Sequence, residues 1–272
     1  VGLVPLQSML DAGKYFLEKQ NRSTGIPEKE IIKIAVKSLG LDDLAPFDPE
    51  KKIIEYMLRD ASESKLVNMT VAGFADETTS ESPAPGGGSI AAYMGALGVS
   101  LGVMVANLSS HKAGWDARWK EFSDQAEQGM ALQRKLLRLV DEDTRAFNRV
   151  MDAFGLPKSS DAEKAARKQA IQDATRYAAD VPLTVMRTVS EAFPLLKSMA
   201  DTGNPNSVSD AGVGALCARS AVLGAFLNVK INVAGLEDKA FAAAVLEEGG
   251  RIAAEAVQAE QEILSIVDSR IG

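Results

Sequence analysis

The chain carries one cysteine, one histidine and no excess of basic over acidic side chains, and each shortage removes a class of activity. Cys217 alone cannot close an internal disulfide, and its place in a helical pattern suits a reducing, cytoplasmic setting. His111 alone excludes a histidine-rich metal site and leaves a Ser-His-Asp triad within one chain unsupported, so no metal is expected. With 30 Lys and Arg against 37 Asp and Glu, a net charge of -7, the chain is no general nucleic-acid binder. Period-two alternation is missing beyond the first few residues, so no sheet is expected. A signal-peptide pattern is also missing, and a start at Val rather than Met reads as a piece of a longer polypeptide. Acid–base chemistry must then rest on carboxylates, lysine, tyrosine or amides.

What is present is helix. At 272 residues and 46% hydrophobic content the chain exceeds one typical domain, and one large or two unequal domains are expected. Val1 to Pro5 reads as the end of a strand and Leu6 to Lys19 as an amphipathic helix. Pro27 opens a second helix that Gly40 stops, and Asp48-Pro49 begin a third carrying Ile53, Ile54 and Met57. Residues 1–58 form a short, mainly helical segment with too little core to stand alone, and Arg59 to Ser64 read as a linker into a domain spanning 59–272. In that domain Leu66 to Ala75 makes a short helix and Asp116 to Phe154 a long one. Asp161 to Met199 is a further pattern with kinks or breaks expected at Pro182 and Pro194. Gly203 to Asn206 is a loop, Ser207 or Ser209 caps a helix reaching Val233, and Asp238 to Arg270 is the last. The class is all-α, a bundle of long up-and-down helices.

The chain is organised around Pro83-Ala84-Pro85-Gly86-Gly87-Gly88-Ser89 and the helix it launches, Ile90 to Ser110, with Ser89 as the expected N-cap. No charged side chain occurs from Ser89 to Ser110, and Ala91, Gly95, Gly98 and Gly102 recur at spacings of four, three and four, leaving one face nearly bare. A membrane span of this length is diluted by Ser89, Ser100, Asn107, Ser109 and Ser110, and no second such run is apparent. A phosphate-binding loop lacks the Gly-Lys-Ser/Thr ending and a preceding strand. A buried central helix accounts for the glycine face but not for the triple glycine. There, unpaired N–H groups at a positive helix end meet a backbone free to take positive φ or to admit an electron-rich ligand edge.

Asp143 is the most informative single residue. Leu136, Val140, Asp143, Phe147 and Val150 set a carboxylate in the middle of an apolar stripe, where it must be paired or used. Asp141 and Glu142 point elsewhere and are expected to be solvated. A second small and polar stripe, Asp210, Gly214, Cys217, Ala221, Gly224 and Asn228, continued by Asn232, is shaped to approach the glycine face closely. Asp210 in isolation is a helix-dipole partner and Lys158 a surface cation. The amides of Asn228 and Asn232 have hydrogen bonds to satisfy and can read the donor and acceptor edge of a heterocycle.

Ser82 to Ser89 with its uncharged helix resembles the opening of the formiminotetrahydrofolate cyclodeaminase family. Further matches follow in family order at Leu139-Val140-Asp141-Glu142-Asp143 with Ala146-Phe147, Leu156-Pro157-Lys158, Val181-Pro182-Leu183, Gly203-Asn204 with Ser209-Asp210, and Phe226-Leu227-Asn228-Val229 with Ile231-Asn232. Val1 to Pro5, Leu39 to Asp42, Pro46 to Pro49 and Ile53 to Tyr56 resemble the tail of the glutamate formiminotransferase domain that precedes it in bifunctional members. The resemblance implies conversion of 5-formimidoyltetrahydrofolate to 5,10-methenyltetrahydrofolate and ammonia in histidine breakdown, or, as an alternative, the methenyltetrahydrofolate cyclohydrolase activity of relatives. It implies Asp143 as catalytic residue, and Pro85, Gly86, Gly87, Gly88, Ser89, Lys158, Asn204, Asp210, Asn228 and Asn232 at the folate, with Lys158 toward a glutamate tail. No cofactor is implied. A homodimer or higher oligomer is expected, with a formiminotransferase domain upstream, no nucleic acid and no membrane span.

Overall fold

The computed structural model describes residues 2–59 and 65–272, so most of the expected linker lies outside the described residues. The N-terminal segment holds α1 (Leu6–Lys19), α2 (Glu28–Ser38) and two single turns, α3 (Pro49–Lys52) and α4 (Ile54–Met57). The third expected helix breaks because Ile53 takes extended backbone to pair in parallel with Val4. That isolated bridge is the only β-pairing among the described residues. The segment has its own small core of Met9, Ile32, Ala35, Val36 and Ile53, packed by Leu6, Leu10, Phe47 and Tyr56. It is pinned to the bundle by Thr24 and Gly25: Thr24 N donates to Ser123 Oγ at 3.0 Å, and Asn107 Nδ2 donates to Gly25 O at 2.9 Å.

Thr70, not the residues near Leu66, caps the next helix, α5 (Val71–Thr78), because its hydroxyl accepts from Gly73 N. Five long helices and one short one follow: α6 (Gly87–Ser110), α7 (Trp119–Gly155), α8 (Asp161–Ser190), α9 (Phe193–Thr202), α10 (Val208–Ala234) and α11 (Lys239–Ile271). Caps explain several ends: Ser160 and Glu163 form a capping box on α8, and Asp238 accepts from Phe241 N to start α11. Helix α8 runs through the buried Pro182 without a break. The break falls instead at Glu191-Ala192, and Pro194 sits in the first turn of α9, where a missing N–H costs nothing.

Helix α6 lies at the centre, antiparallel to both α7 and α10. Its small face allows the approach expected from the sequence: a Cβ at Gly98 would lie 2.8 Å from Gly214 O and 3.1 Å from Cys217 Cβ, and one at Gly95 3.4 Å from Ala221 Cβ. Gly102 meets Leu195 and Leu196 of α9 instead of α10. Contrary to the expectation of a single such run, a second long apolar helix is present. By length and composition alone both Gly87–Ser110 and Pro205–Ala234 are able to cross a membrane, with 61% and 44% of their most apolar stretch buried in the bundle.

The outer face of α6 shows Ile90, Met94, Leu97, Leu101, Met104 and Leu108 at alternating spacings of four and three, half-buried or exposed. Beside it α10 shows Val213, Leu216, Leu223 and Leu227 in the same state.

Candidate active site

The glycine loop acts through contact distance, not through unusual backbone angles. Gly86 is the N-cap of α6 with φ -104°, and positive φ among the described glycines is confined to Gly40, Gly114 and Gly272. Of the two uses the glycines leave open, positive φ is not taken up and close approach is. A Cβ at Gly88 would stand 2.0 Å from Asp143 Oδ1 and one at Gly87 3.3 Å from Asn228 Nδ2, so bare backbone lets both side chains settle on the start of α6. Pro85 is buried behind a cis Ala84–Pro85 bond, and Gly86 makes no close approach.

Ser89 is not the N-cap. It lies in the first turn of α6, fully buried, and its hydroxyl oxygen stands 2.9 Å from Val140 O and 3.0 Å from Asp143 Oδ2. Its main-chain N–H also donates to Asp143. Asp143, in the middle of α7, thus docks on the positive end of α6. Burial pushes its carboxyl above the usual carboxylate range, and the two bonds from Ser89 offset that only in part. The result is a carboxylate poised to take and return a proton.

Two asparagines of α10 share this end of the bundle. Asn228 Nδ2 donates to Gly224 O at 3.0 Å, and Asn232 Nδ2 donates to Ala178 O of α8 at 2.6 Å. With the NH2 groups engaged on backbone, the amide oxygens remain as acceptors for a ligand N–H.

The neighbours of Asp143 on α7 differ from the sequence reading. Asp141 is buried, not solvated, and accepts from Leu66 N at 2.7 Å and Val67 N at 3.4 Å, tying the turn before α5 to the bundle. Glu142 is half-buried and accepts from Arg145 and from the Tyr177 hydroxyl of α8, while Arg149 stacks 4.4 Å over the Tyr177 ring. Burial raises the Glu142 carboxyl, yet the bonds from Arg145 and Tyr177 outweigh it and hold it below the usual range. The first cause raising the Tyr177 phenol is burial, followed by its bond to Glu142. Tyr177 carries no signal in the sequence, since its partners lie on another helix. Phe147 leaves the apolar stripe, being 37% exposed.

Three expected site residues stand apart. Lys158 is exposed after the end of α7, roughly 18 Å or more along the axis from Asp143. Asn204 is spent at the far end of α6: its N–H donates to Ser109 Oγ and its side chain accepts from Asn206 N. Asp210 starts α10 at that same far end, about 27 Å along the helix from Asn228. Because α10 runs antiparallel to α6, the structure does not bring Asn204 and Asp210 of one chain together with the carboxylate at Ser89. Among the described residues no group of His, Cys, Asp and Glu is placed to hold a metal ion.

An all-α bundle that seats one buried carboxylate, its titration pushed upward, on the N-terminus of its central helix, beside two amides, is a cyclodeaminase-like fold with the layout of an acid–base site. Residues 70–250 match the family described as formiminotransferase-cyclodeaminase, and residues 1–59 match the formiminotransferase domain. The chain belongs to the formiminotransferase-cyclodeaminase family. It is 38% identical over 242 residues to the formimidoyltransferase-cyclodeaminase of Mus musculus, covering 89% of this chain and 44% of that protein. It is 40% identical over 204 residues to the methenyltetrahydrofolate cyclohydrolase of Methylorubrum extorquens, covering 75% of this chain and 98% of that one. The solved formiminotetrahydrofolate cyclodeaminase of Thermotoga maritima superposes with TM-score 0.67 at 27% identity, over 76% of this chain and 100% of that one. The chain thus spans less than half the length of the bifunctional mouse relative.

Proposed function

We propose that this chain is a formimidoyltetrahydrofolate cyclodeaminase, an ammonia-lyase that turns 5-formimidoyltetrahydrofolate into 5,10-methenyltetrahydrofolate and ammonia in histidine degradation, in the cytoplasm and without a cofactor. The observation that carries the reading is the Asp143 carboxylate held by Ser89 against the bare backbone of Gly88. In the reaction N10 attacks the formimidoyl carbon, forming the N10–C bond. The N10 proton passes to Asp143 and from it to the exocyclic nitrogen, which leaves as ammonia with the C–N bonding pair. The positive charge of the formimidoyl group is conserved in the methenyl product, and an ionised Asp143 stabilises it. Both reacting nitrogens belong to one molecule, so the protein supplies mainly conformation and one proton relay. The amide oxygens of Asn228 and Asn232 suit the N–H groups of the pterin ring, and Lys158, exposed past the end of α7, suits a glutamate tail of one or several residues.

The test is incubation with 5-formimidoyltetrahydrofolate while following methenyl absorbance and released ammonia together. Stoichiometric appearance of both supports the reading. Hydrolysis of methenyltetrahydrofolate without ammonia chemistry would instead make the chain a cyclohydrolase, the reading favoured by the Methylorubrum extorquens relative. No folate binding at all would leave a helical assembly module.

The same reading includes assembly and covalent context. The paired apolar stripes of α6 and α10 carry no charge among the residues named, and they are self-complementary when a second copy meets them in reverse. A homodimer through this face is expected, and the match of residues 1–59 to the formiminotransferase domain supports the reading that more of that domain lies upstream. Leu97→Glu combined with Leu216→Glu should turn a dimer in light scattering into a folded monomer. An unchanged mass would move the contact elsewhere.

A further inference from the structure

The single proton of the Ser89 hydroxyl faces two acceptors, Val140 O at 2.9 Å and Asp143 Oδ2 at 3.0 Å, in a site with no solvent access to that residue. A hydroxyl has one donor and two acceptor lone pairs, and its hydrogen turns about the C–O bond without moving a heavy atom. Val140 O lies inside α7, where a carbonyl keeps one lone pair beyond its helical bond, so it tolerates either the presence or the absence of the hydroxyl proton.

We propose, building on the cyclodeaminase reading, that Ser89 is a positioning residue whose hydroxyl keeps Asp143 hydrogen-bonded in every protonation state the reaction visits. It donates to Oδ2 of the carboxylate, and still does so when the proton taken from the substrate rests on Oδ1. When the proton rests on Oδ2, the hydroxyl turns to Val140 O and accepts from the acid. In each of the three arrangements Ser89 Oγ and Asp143 Oδ2 stay hydrogen-bonded to each other, so Asp143 changes from base to acid without a side-chain movement. The hydroxyl exchanges no atom with the substrate, and the proton count on Ser89 is constant.

The groups around Asp143 leave this role to Ser89. Helix α6 brings no charged residue to the site. On α7, Asp141 is bound to Leu66 and Val67, and Glu142 is engaged with Arg145 and Tyr177. Helix α8 brings Tyr177 under Arg149, and Asp180, which acts on Arg187. Helix α10 brings the amides of Asn228 and Asn232, with Lys230 turned onto the Phe226 ring. The segment before the glycine loop carries Asp76, Glu77 and Glu81.

The test uses the full chain and two readouts, the carboxyl-carbon NMR titration of Asp143, assigned by loss of its signal in Asp143→Asn, and the pH profile of kcat/KM with 5-formimidoyltetrahydrofolate. In Ser89→Ala the Asp143 titration should move to higher pH, because a donor to the ionised form is gone. The acidic limb of the profile should follow it, and kcat should fall by about tenfold with KM little changed. Ser89→Thr should restore both readouts. Should the alanine variant not fold, Ser89→Cys, a weaker donor, should show the same upward shift to a smaller extent. An Asp143 titration that is the same in wild type and in the alanine or cysteine variant overturns the proposal and leaves Ser89 as packing. Failure of the wild type to act on folate sinks the cyclodeaminase reading alone, since the titration still decides the part played by Ser89.

Discussion

At the scale of single residues, Asp143 has two claims on it: it caps the N-terminus of α6, and it is the carboxylate of the candidate site. Its charge state separates them. Burial raises its carboxyl above the ordinary range, so ionising it costs the fold stability at neutral pH, and the cost vanishes as pH falls below the ordinary carboxylate value. Asp143→Asn removes that cost while keeping one acceptor for Ser89. Calorimetry should give the variant a melting temperature equal to or above wild type at pH 7, with the two curves converging in acid. Turnover should drop by roughly a hundredfold or more. A variant that melts early at every pH and still turns over would make Asp143 a cap and nothing else. Gly88→Ala approaches the same point from α6: the new Cβ would sit 2.0 Å from Oδ1 and 2.5 Å from Cγ, and the carboxylate, as the end of a side chain, would be what moves. Loss of tenfold or more in kcat with a melting temperature shifted by only a few degrees is expected, read from steady-state kinetics and thermal unfolding. Asp143 and the glycines were legible because a carboxylate within an apolar stripe and three glycines before an uncharged helix each violate a local rule. Asp141 was not legible, since its partners, the N–H groups of Leu66 and Val67, are distant in sequence.

At the scale of elements, helix ends were legible wherever the deciding chemistry was local. Leu6–Lys19 follows Pro5, α8 starts at its capping box, and α11 starts at Asp238. Ends decided from outside were not: Ile53 breaks a helix to pair with Val4, and α6 starts before Ser89 because that hydroxyl is taken by α7. Proline 182 shows the converse, since packing on both sides keeps α8 helical through a residue that disfavours helix. The small-residue seam between α6 and α10 was legible in spacing and gives a test with opposite signs. Gly98→Ala would place a Cβ 2.8 Å from Gly214 O and 3.1 Å from Ala218 N, both backbone, so the helices must separate and stability should fall by about 1–3 kcal/mol. Gly250→Ala on α11 meets only the rim of Phe226 at 4.0 Å and should raise stability by up to about 1 kcal/mol through helix propensity. Urea unfolding of both variants checks this, and equal effects would show that the α6–α10 approach is looser than its distances state.

At the scale of the whole molecule, the bundle and the segment before it have separate cores. Leu66 belongs to the bundle core, whereas Met9, Ile32, Val36 and Ile53 form their own. What joins them is narrow: the Thr24–Ser123 bonds, the Asn107 bond to Gly25 O, and the Lys14–Glu127 ion pair at 2.5 Å, which is exposed enough to contribute little. Gly25 fits against Ala126 where a Cβ would lie 2.3 Å away, so the joint is close but small. The candidate site is at the other end of α6 from this joint, because Asn107 closes the helix that Gly87 opens. The relatives of Methylorubrum extorquens and Thermotoga maritima are matched over nearly their whole length by about three quarters of this chain. A chain starting at residue 65 should therefore fold cooperatively and keep its kcat within about twofold of the full chain, since neither Asp143 nor Ser89, Asn228 or Asn232 bonds to the deleted part. Its melting temperature should drop by a few degrees, because Ser123 and Asn107 lose buried partners at the rim. Thermal unfolding and turnover of the truncated chain measure both quantities. A soluble, folded truncation with kcat reduced tenfold would show that the distant segment acts on the site through α6, and an insoluble one would show that the two cores fold as one.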